Sequence, residues 1–155
     1  MKEPTLLPGD ILLEDDEFVV AYHRPGGGFR NIMLVAFALM SIFIITLPLT
    51  IPMLLWMTPP KHRWYYLTTR RAIYASSKEV KQVDYADLTD FKVYKHKGYW
   101  GISLFRNGGW WKHMDMFNLD DSRHVFAEIL GVAMHDPSGL SLLNPYSGPL
   151  HWPDR

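Results

Sequence analysis

The sequence predicts an α+β protein in which a hydrophobic membrane helix, or a short helical hairpin, precedes a small antiparallel β-sheet or partly open barrel closed by one C-terminal helix. Three observations carry this. Ile32 to Met57 runs for twenty-six residues without a charge. From Arg63 onward the chain breaks into short runs rich in β-branched and aromatic residues, separated by charged or glycine-containing gaps. The stretch NLDDSRHVFAEILGVAM, residues 118–134, then spaces its apolar residues as an amphipathic helix does.

Four segments follow. Residues 1–28 form an acidic lead-in with a net charge of minus four, set by Glu3, Asp10 and the run Glu14 to Glu17. Residues 29–60 are the membrane segment. As one helix the apolar run would reach about 39 Å, against a hydrocarbon core of about 30 Å, so it is long enough to span. Pro48 and Pro52 lack backbone donors and clash with the preceding turn, which excludes a straight helix through both. Two topologies stay open, a short hairpin turning near Thr46 to Thr50 and a kinked single span. Basic residues flank both ends, so a single span would give the positive-inside rule conflicting instructions, and the hairpin is favoured. Trp56, Trp64 and Tyr65 cluster at the exit, where rings with one polar edge suit the headgroup layer; strand-core packing is the alternative for Trp64 and Tyr65.

Residues 61–135 carry the folded domain. RWYYLTT, RAIYAS, KQVDY, LTDFKVYKH, YWGISLF and WWKHMDMF read as strands, with Asn107-Gly108-Gly109 as a hairpin turn. In the helix, Asp120 or Asp121 is the expected cap, and Val125, Ile129, Val132 and Ala133 are the expected buried face, with Phe126 and Leu130 beside them. Residues 136–155 hold four prolines and two glycines without periodicity and are expected to form an extended tail.

Composition narrows function by exclusion. The chain has 155 residues, enough for one ordinary domain plus something small, with lysine plus arginine balanced at sixteen each by aspartate plus glutamate, so it is not attracted as a whole to a polyanion. There is no cysteine, hence no disulfide framework, thiolate metal site or cysteine nucleophile. The seven histidines form no metal-ligand spacing, and no nucleophile-elbow motif occurs. No cofactor, metal or nucleic-acid partner is predicted, and no catalytic residue can be nominated.

Against that background, YYLTTRRAIYAS resembles the opening strand pair of bacterial pleckstrin-homology-like domains, with Tyr65 or Tyr66, Leu67, Thr68, Arg70 and Arg71 at the pattern positions. VDYADLTDFKV and GYWGISLF are similar to the segments that follow in that family, and LLPGDILLEDDEFVVAYHRP is similar to the lead-in of its membrane-anchored members. The resemblance covers roughly residues 10 to 132. It implies a membrane-associated module without known chemistry, attached to the cell inner membrane with its domain on the cytoplasmic side.

Two sets of residues are candidates for binding. Lys61 to Lys97 carries nine basic residues against four acidic ones, and Arg70, Arg71, Lys95 and Lys97 are the residues that would meet anionic lipid headgroups or other anions. Arg70 and Arg71 have a plainer alternative, solvation in a hairpin turn with one of them paired to Asp84 or Asp87. Trp100, Trp110 and Trp111 are the candidates for contact with a protein partner, because tryptophan is enriched at binding hot spots and adjacent strand residues point to opposite faces. The expectation is a non-enzymatic accessory or assembly subunit of an integral membrane protein complex. A sensor of membrane lipid headgroups is the alternative.

Overall fold

The computed structural model describes residues 6–7, 11–25, 35, 63–76, 78–107 and 113–148. The chain divides into two compact units, Met1–Pro25 together with His62–Arg155, and Gly26–Lys61. The predicted membrane segment, including Trp56, lies outside the described residues except at residue 35. Among the described residues no helix is long and apolar enough to cross a membrane.

The first unit is α+β: two antiparallel sheets followed by one C-terminal helix. A small hairpin comes first, β1 (Leu6–Leu7) with β2 (Ile11–Leu12). The first sheet has the order β3 (Val19–His23), β4 (Arg63–Thr68), β5 (Arg71–Ser76), β6 (Val80–Asp84). The second has the order β7 (Leu88–His96), β8 (Tyr99–Arg106), β9 (His113–Phe117), and helix α1 (Arg123–His135) follows.

Strand β3 corrects the predicted boundaries. The lead-in does not stand apart from a domain beginning at residue 61; Ala21, Tyr22 and His23 pair with Leu67, Tyr66 and Tyr65 of β4. A bulge between Val19 and Ala21 hides this strand from a period-two reading, since the extra residue flips the face. Val19 accordingly packs with one cluster and Ala21 with the other.

Strand β4 is buried on both faces, which is why RWYYLT shows no alternation. Tyr65 and Leu67 face the main core with Ala72 and Val83, against Ile102, Leu104, Met114 and Met116 of the second sheet and Phe126, Ile129, Leu130 and Ala133 of α1. Trp64 and Tyr66, with Ile73 and Ala75, face the other way and are covered by Leu7, Ile11 and Leu13 of the lead-in. Burying each of those three aliphatic side chains contributes about 1.5–3 kcal/mol. The lead-in is thus a structural cover.

The helix is rotated from its predicted face. Phe126, Ile129, Leu130 and Ala133 are buried, whereas Val125 and Val132 are 52% and 37% exposed and border a shallow groove with Val20 and Leu143. Asp120 and Asp121 do not cap it. They belong to a 3-10 turn, Asp120–Ser122, and Ser122 takes the N-cap position without a side-chain capping bond. The described part of the tail is also more structured than predicted. Pro137–Leu142 forms a 3-10 segment with Leu140 fully buried, and the Tyr146 N–H donates to the Val19 carbonyl at 2.7 Å.

Candidate functional site

Among the described residues, the turn between β4 and β5 holds three ion pairs. Thr68 ends β4 and Arg71 starts β5, so Thr69 and Arg70 form a two-residue turn, and Thr68 Oγ1 accepts from the N–H groups of Arg70 and Arg71 at 3.2 and 3.0 Å. The acidic lead-in folds over this turn. Arg71 Nε and Nη2 donate to Glu17 Oε1 and Oε2 at 2.9 and 2.8 Å, and Arg71 also donates to Gln82 Oε1 and to the Leu12 carbonyl. Arg70 pairs with Glu14 and, at 2.6 Å, with Asp16. Asp84, the partner anticipated for one arginine, sits opposite Arg71 in the β5–β6 register, but the close pairs are made with the lead-in.

Glu17 is the centre of this set. Its side chain is fully buried, and its carboxylate accepts four hydrogen bonds: two from Arg71, one from Thr68 Oγ1 at 2.6 Å and one from the Glu14 N–H at 3.2 Å. Burial pushes the Glu17 carboxyl pKa up, but the hydrogen bonds from Arg71, Thr68 and Glu14 and the charge of Arg71 together outweigh it and hold the pKa below the ordinary carboxylate value. Beneath the turn, the Tyr85 hydroxyl donates to the Thr68 carbonyl at 3.0 Å, and burial pushes its pKa well up.

A cleft of about 510 Å³ opens beside the turn, bordered by Thr69, Arg70, Asp84, Tyr85, Ser138 and Ser141. Both arginines reach it already paired with carboxylates. An anion entering here would have to displace Glu14 and Asp16 from Arg70, so the cleft is a poor anion site despite its arginines.

Lys95 and Lys97 lie on a different hairpin, in the second sheet. Lys97 and Gly98 form its two-residue turn with φ of 48° and 87°, and both lysines are exposed. The four proposed anion-binding residues therefore divide between two hairpins of two sheets. Lys95 instead lies over the Trp100 ring, 5.4 Å from its centroid, and the Arg123 guanidinium lies 4.6 Å from the same centroid. Half-buried Trp100 is thus engaged by cations from β7 and α1. Trp110 and Trp111 lie outside the described residues.

Trp64 and Tyr65 are 4% and 1% exposed, so their rings fill the protein's own cores, as the strand-core alternative has it. The Tyr65 hydroxyl accepts from the Phe117 N–H at 2.9 Å, and burial raises its pKa to about 12. Beside it, His23 stacks parallel to the Tyr65 ring at 6.4 Å and ties β3 to the connection between β9 and α1 at two points: Nε2 lies 2.7 Å from the Asn118 carbonyl and Nδ1 lies 2.7 Å from Ser122 Oγ. A carbonyl only accepts, so Nε2 carries the proton and Nδ1 accepts from Ser122. Ser122 thus directs its hydroxyl proton to His23 and makes no side-chain capping bond to α1.

Sequence reasoning missed Glu14, Asp16 and Glu17 as the arginines' partners, Arg123 as the second cation on Trp100, and His23 altogether. The one legible signal was the match between an acidic run and an arginine pair separated by more than fifty residues. Among the described residues no cluster of three or more histidines and carboxylates is placed to hold a metal ion. No protein-family model matches the chain, and no curated protein matches it.

Proposed function

We propose that this protein is a membrane-anchored, non-enzymatic binding module with a pleckstrin-homology-like domain, serving as an accessory or assembly subunit of a membrane protein complex. One observation carries the reading. The twenty-six-residue apolar run is inserted between β3 and β4, which are antiparallel neighbours with His23 opposite Tyr65. The strand that leads into the run and the strand that leads out of it therefore end side by side.

A segment tied this way enters and leaves the bilayer on one side, which favours the hairpin topology over a single span. The charge pattern then becomes consistent. Arg24, Arg30, Lys61 and Arg63 all fall on the same side, and the positive-inside rule assigns that side to the cytoplasm of the inner membrane. The four-plus-three strand arrangement with a closing helix supports the resemblance stated above.

Lipid sensing gains no support from Arg70 and Arg71, because the acidic lead-in already neutralises them. The binding surface of this reading is Trp100 with Trp110, Trp111 and the tail. The test is purification from native membranes in mild detergent through a C-terminal tag, followed by a high-salt wash. A stoichiometric protein partner that survives the wash and is lost on Trp100→Ala is the expected result. Recovery of the chain with salt-labile anionic lipid alone would overturn the subunit reading.

A further inference from the structure

Strand β7 is the longest strand of the second sheet, and among the described residues it pairs with β8 alone. Its backbone parity can be counted from the Lys97-Gly98 turn. A two-residue turn with both φ positive closes on a hydrogen-bonded pair, here His96 with Tyr99. Antiparallel pairs alternate, so Lys95, Val93 and Phe91 direct their N–H and C=O groups away from β8. The Phe91 N–H agrees with this count, since it is satisfied on the open edge by Asp90 Oδ1 at 2.8 Å. Val93, midway along the strand, is 42% exposed although its cross-strand partner Ile102 is fully buried.

We propose that this edge binds a second copy of the chain, with β7 pairing antiparallel to its counterpart about a two-fold axis through Val93. The strand is self-complementary in that register. Val93 meets Val93, Asp90 meets His96, Phe91 meets Lys95 and Lys92 meets Tyr94, each pair on a common face of the joined sheet. These are apolar, ion-pairing and cation–π combinations, and no two lysines face each other. Moving the axis to Lys92 would set the two copies of that lysine against each other, and moving it to Tyr94 would set Lys92 against His96. In the Val93 register the outward groups of Val93 and Lys95 and the Phe91 carbonyl join in a hydrogen-bonded ladder, and the Phe91 N–H completes it as Asp90 turns from that N–H to His96 of the other copy. The lysines that guard this edge against unrelated strands thus leave one register open to a copy of itself. This inference is independent of membrane anchorage.

The absence of cysteine supplies the test. In a hydrogen-bonded antiparallel pair the opposed Cα atoms lie about 5.5 Å apart, within the range a disulfide spans. Full-length Val93→Cys in mild detergent, under gentle oxidation, should form a disulfide-linked dimer at least about tenfold faster than Leu142→Cys, whose parent residue is 86% exposed. Equal rates would overturn the proposal. As a second measurement, Val93→Pro removes an N–H that β8 does not use, so the fold should survive on circular dichroism while the dimer seen by light scattering is lost. A wild-type chain that stays monomeric at every concentration, or a dimer that Val93→Pro leaves intact, would also overturn it.

Discussion

Replacing Glu17 with alanine tests whether the acidic lead-in is a structural cover or a solvated tail. The substitution removes a fully buried carboxylate that accepts four hydrogen bonds and leaves the guanidinium of Arg71, whose side chain is only 14% exposed, with Gln82 and the Leu12 carbonyl as acceptors. Breaking a buried pair from one side costs about 3–5 kcal/mol, because the remaining charge stays desolvated without its counterion. For a folded unit of roughly 120 residues this corresponds to a fall of about 12–20 °C in the thermal midpoint. The assay is thermal and urea denaturation of the full chain in detergent, followed by far-UV circular dichroism. Arg70→Ala is the control: its pairs with Glu14 and Asp16 are exposed, and the midpoint should scarcely move. The pH dependence provides a second readout. The folded-state pKa of Glu17 lies below the unfolded value, so its contribution is complete above the ordinary carboxylate range and is lost as pH falls through the folded pKa. Wild type should lose stability over that acid window more steeply than Glu17→Ala. A Glu17→Ala protein within about 1 kcal/mol of wild type at neutral pH, with an unchanged acid profile, would refute the reasoning.

Three further outcomes are expected. Burial holds the His23 pKa below 6.5, so the unfolded chain takes up the proton first and stability should decline as pH drops below about 6.5; His23→Phe should flatten that decline in midpoints measured from pH 8 to 5. A methyl group at Gly101 would lie 2.6 Å from the Tyr94 ring and 2.9 Å from the Met116 carbonyl, so Gly101→Ala should cost about 1–3 kcal/mol in urea denaturation, and a neutral result would mean that Tyr94 does not lie across this glycine. Lys97 adopts φ of 48° in the β7–β8 turn, a conformation that costs most side chains about 1–2 kcal/mol, so Lys97→Asn should raise the thermal midpoint by a few degrees.

Much of the fold was readable because local patterning and tertiary role coincide. LTDFKVYKH is strand β7 from end to end, and YWGISLF lacks only the last residue of β8, since both runs are bounded by turn residues that stop a strand for local reasons. What escaped was set by distant contacts. VVAYH sits in an acidic context, and its bulge breaks the alternation that would announce a strand. The helix face was placed about one position too far round because Val125 and Val132 are apolar yet border a groove, while Phe126 and Leu130 take the core. At the candidate sites, sequence identified Arg70, Arg71 and Trp100 as unusual but could not supply their partners. Glu14, Asp16 and Glu17 arrive from 54 to 56 residues away, and Arg123 reaches Trp100 from another element. Those arrivals pair both arginines with carboxylates of the lead-in.

In the function proposed above, the apolar run starts and finishes on one side of a membrane, because the strands that flank it, β3 and β4, are antiparallel neighbours. The cysteine-free chain allows this to be measured with single thiols at Arg24→Cys and Lys61→Cys, each probed with a membrane-impermeant maleimide in sealed vesicles of known orientation that resist carbonate extraction. Both positions should react from the cytoplasmic face and be protected from the other. Labelling of the two positions from opposite faces would mean a single span, and release of the protein by carbonate would mean that the run does not enter the bilayer.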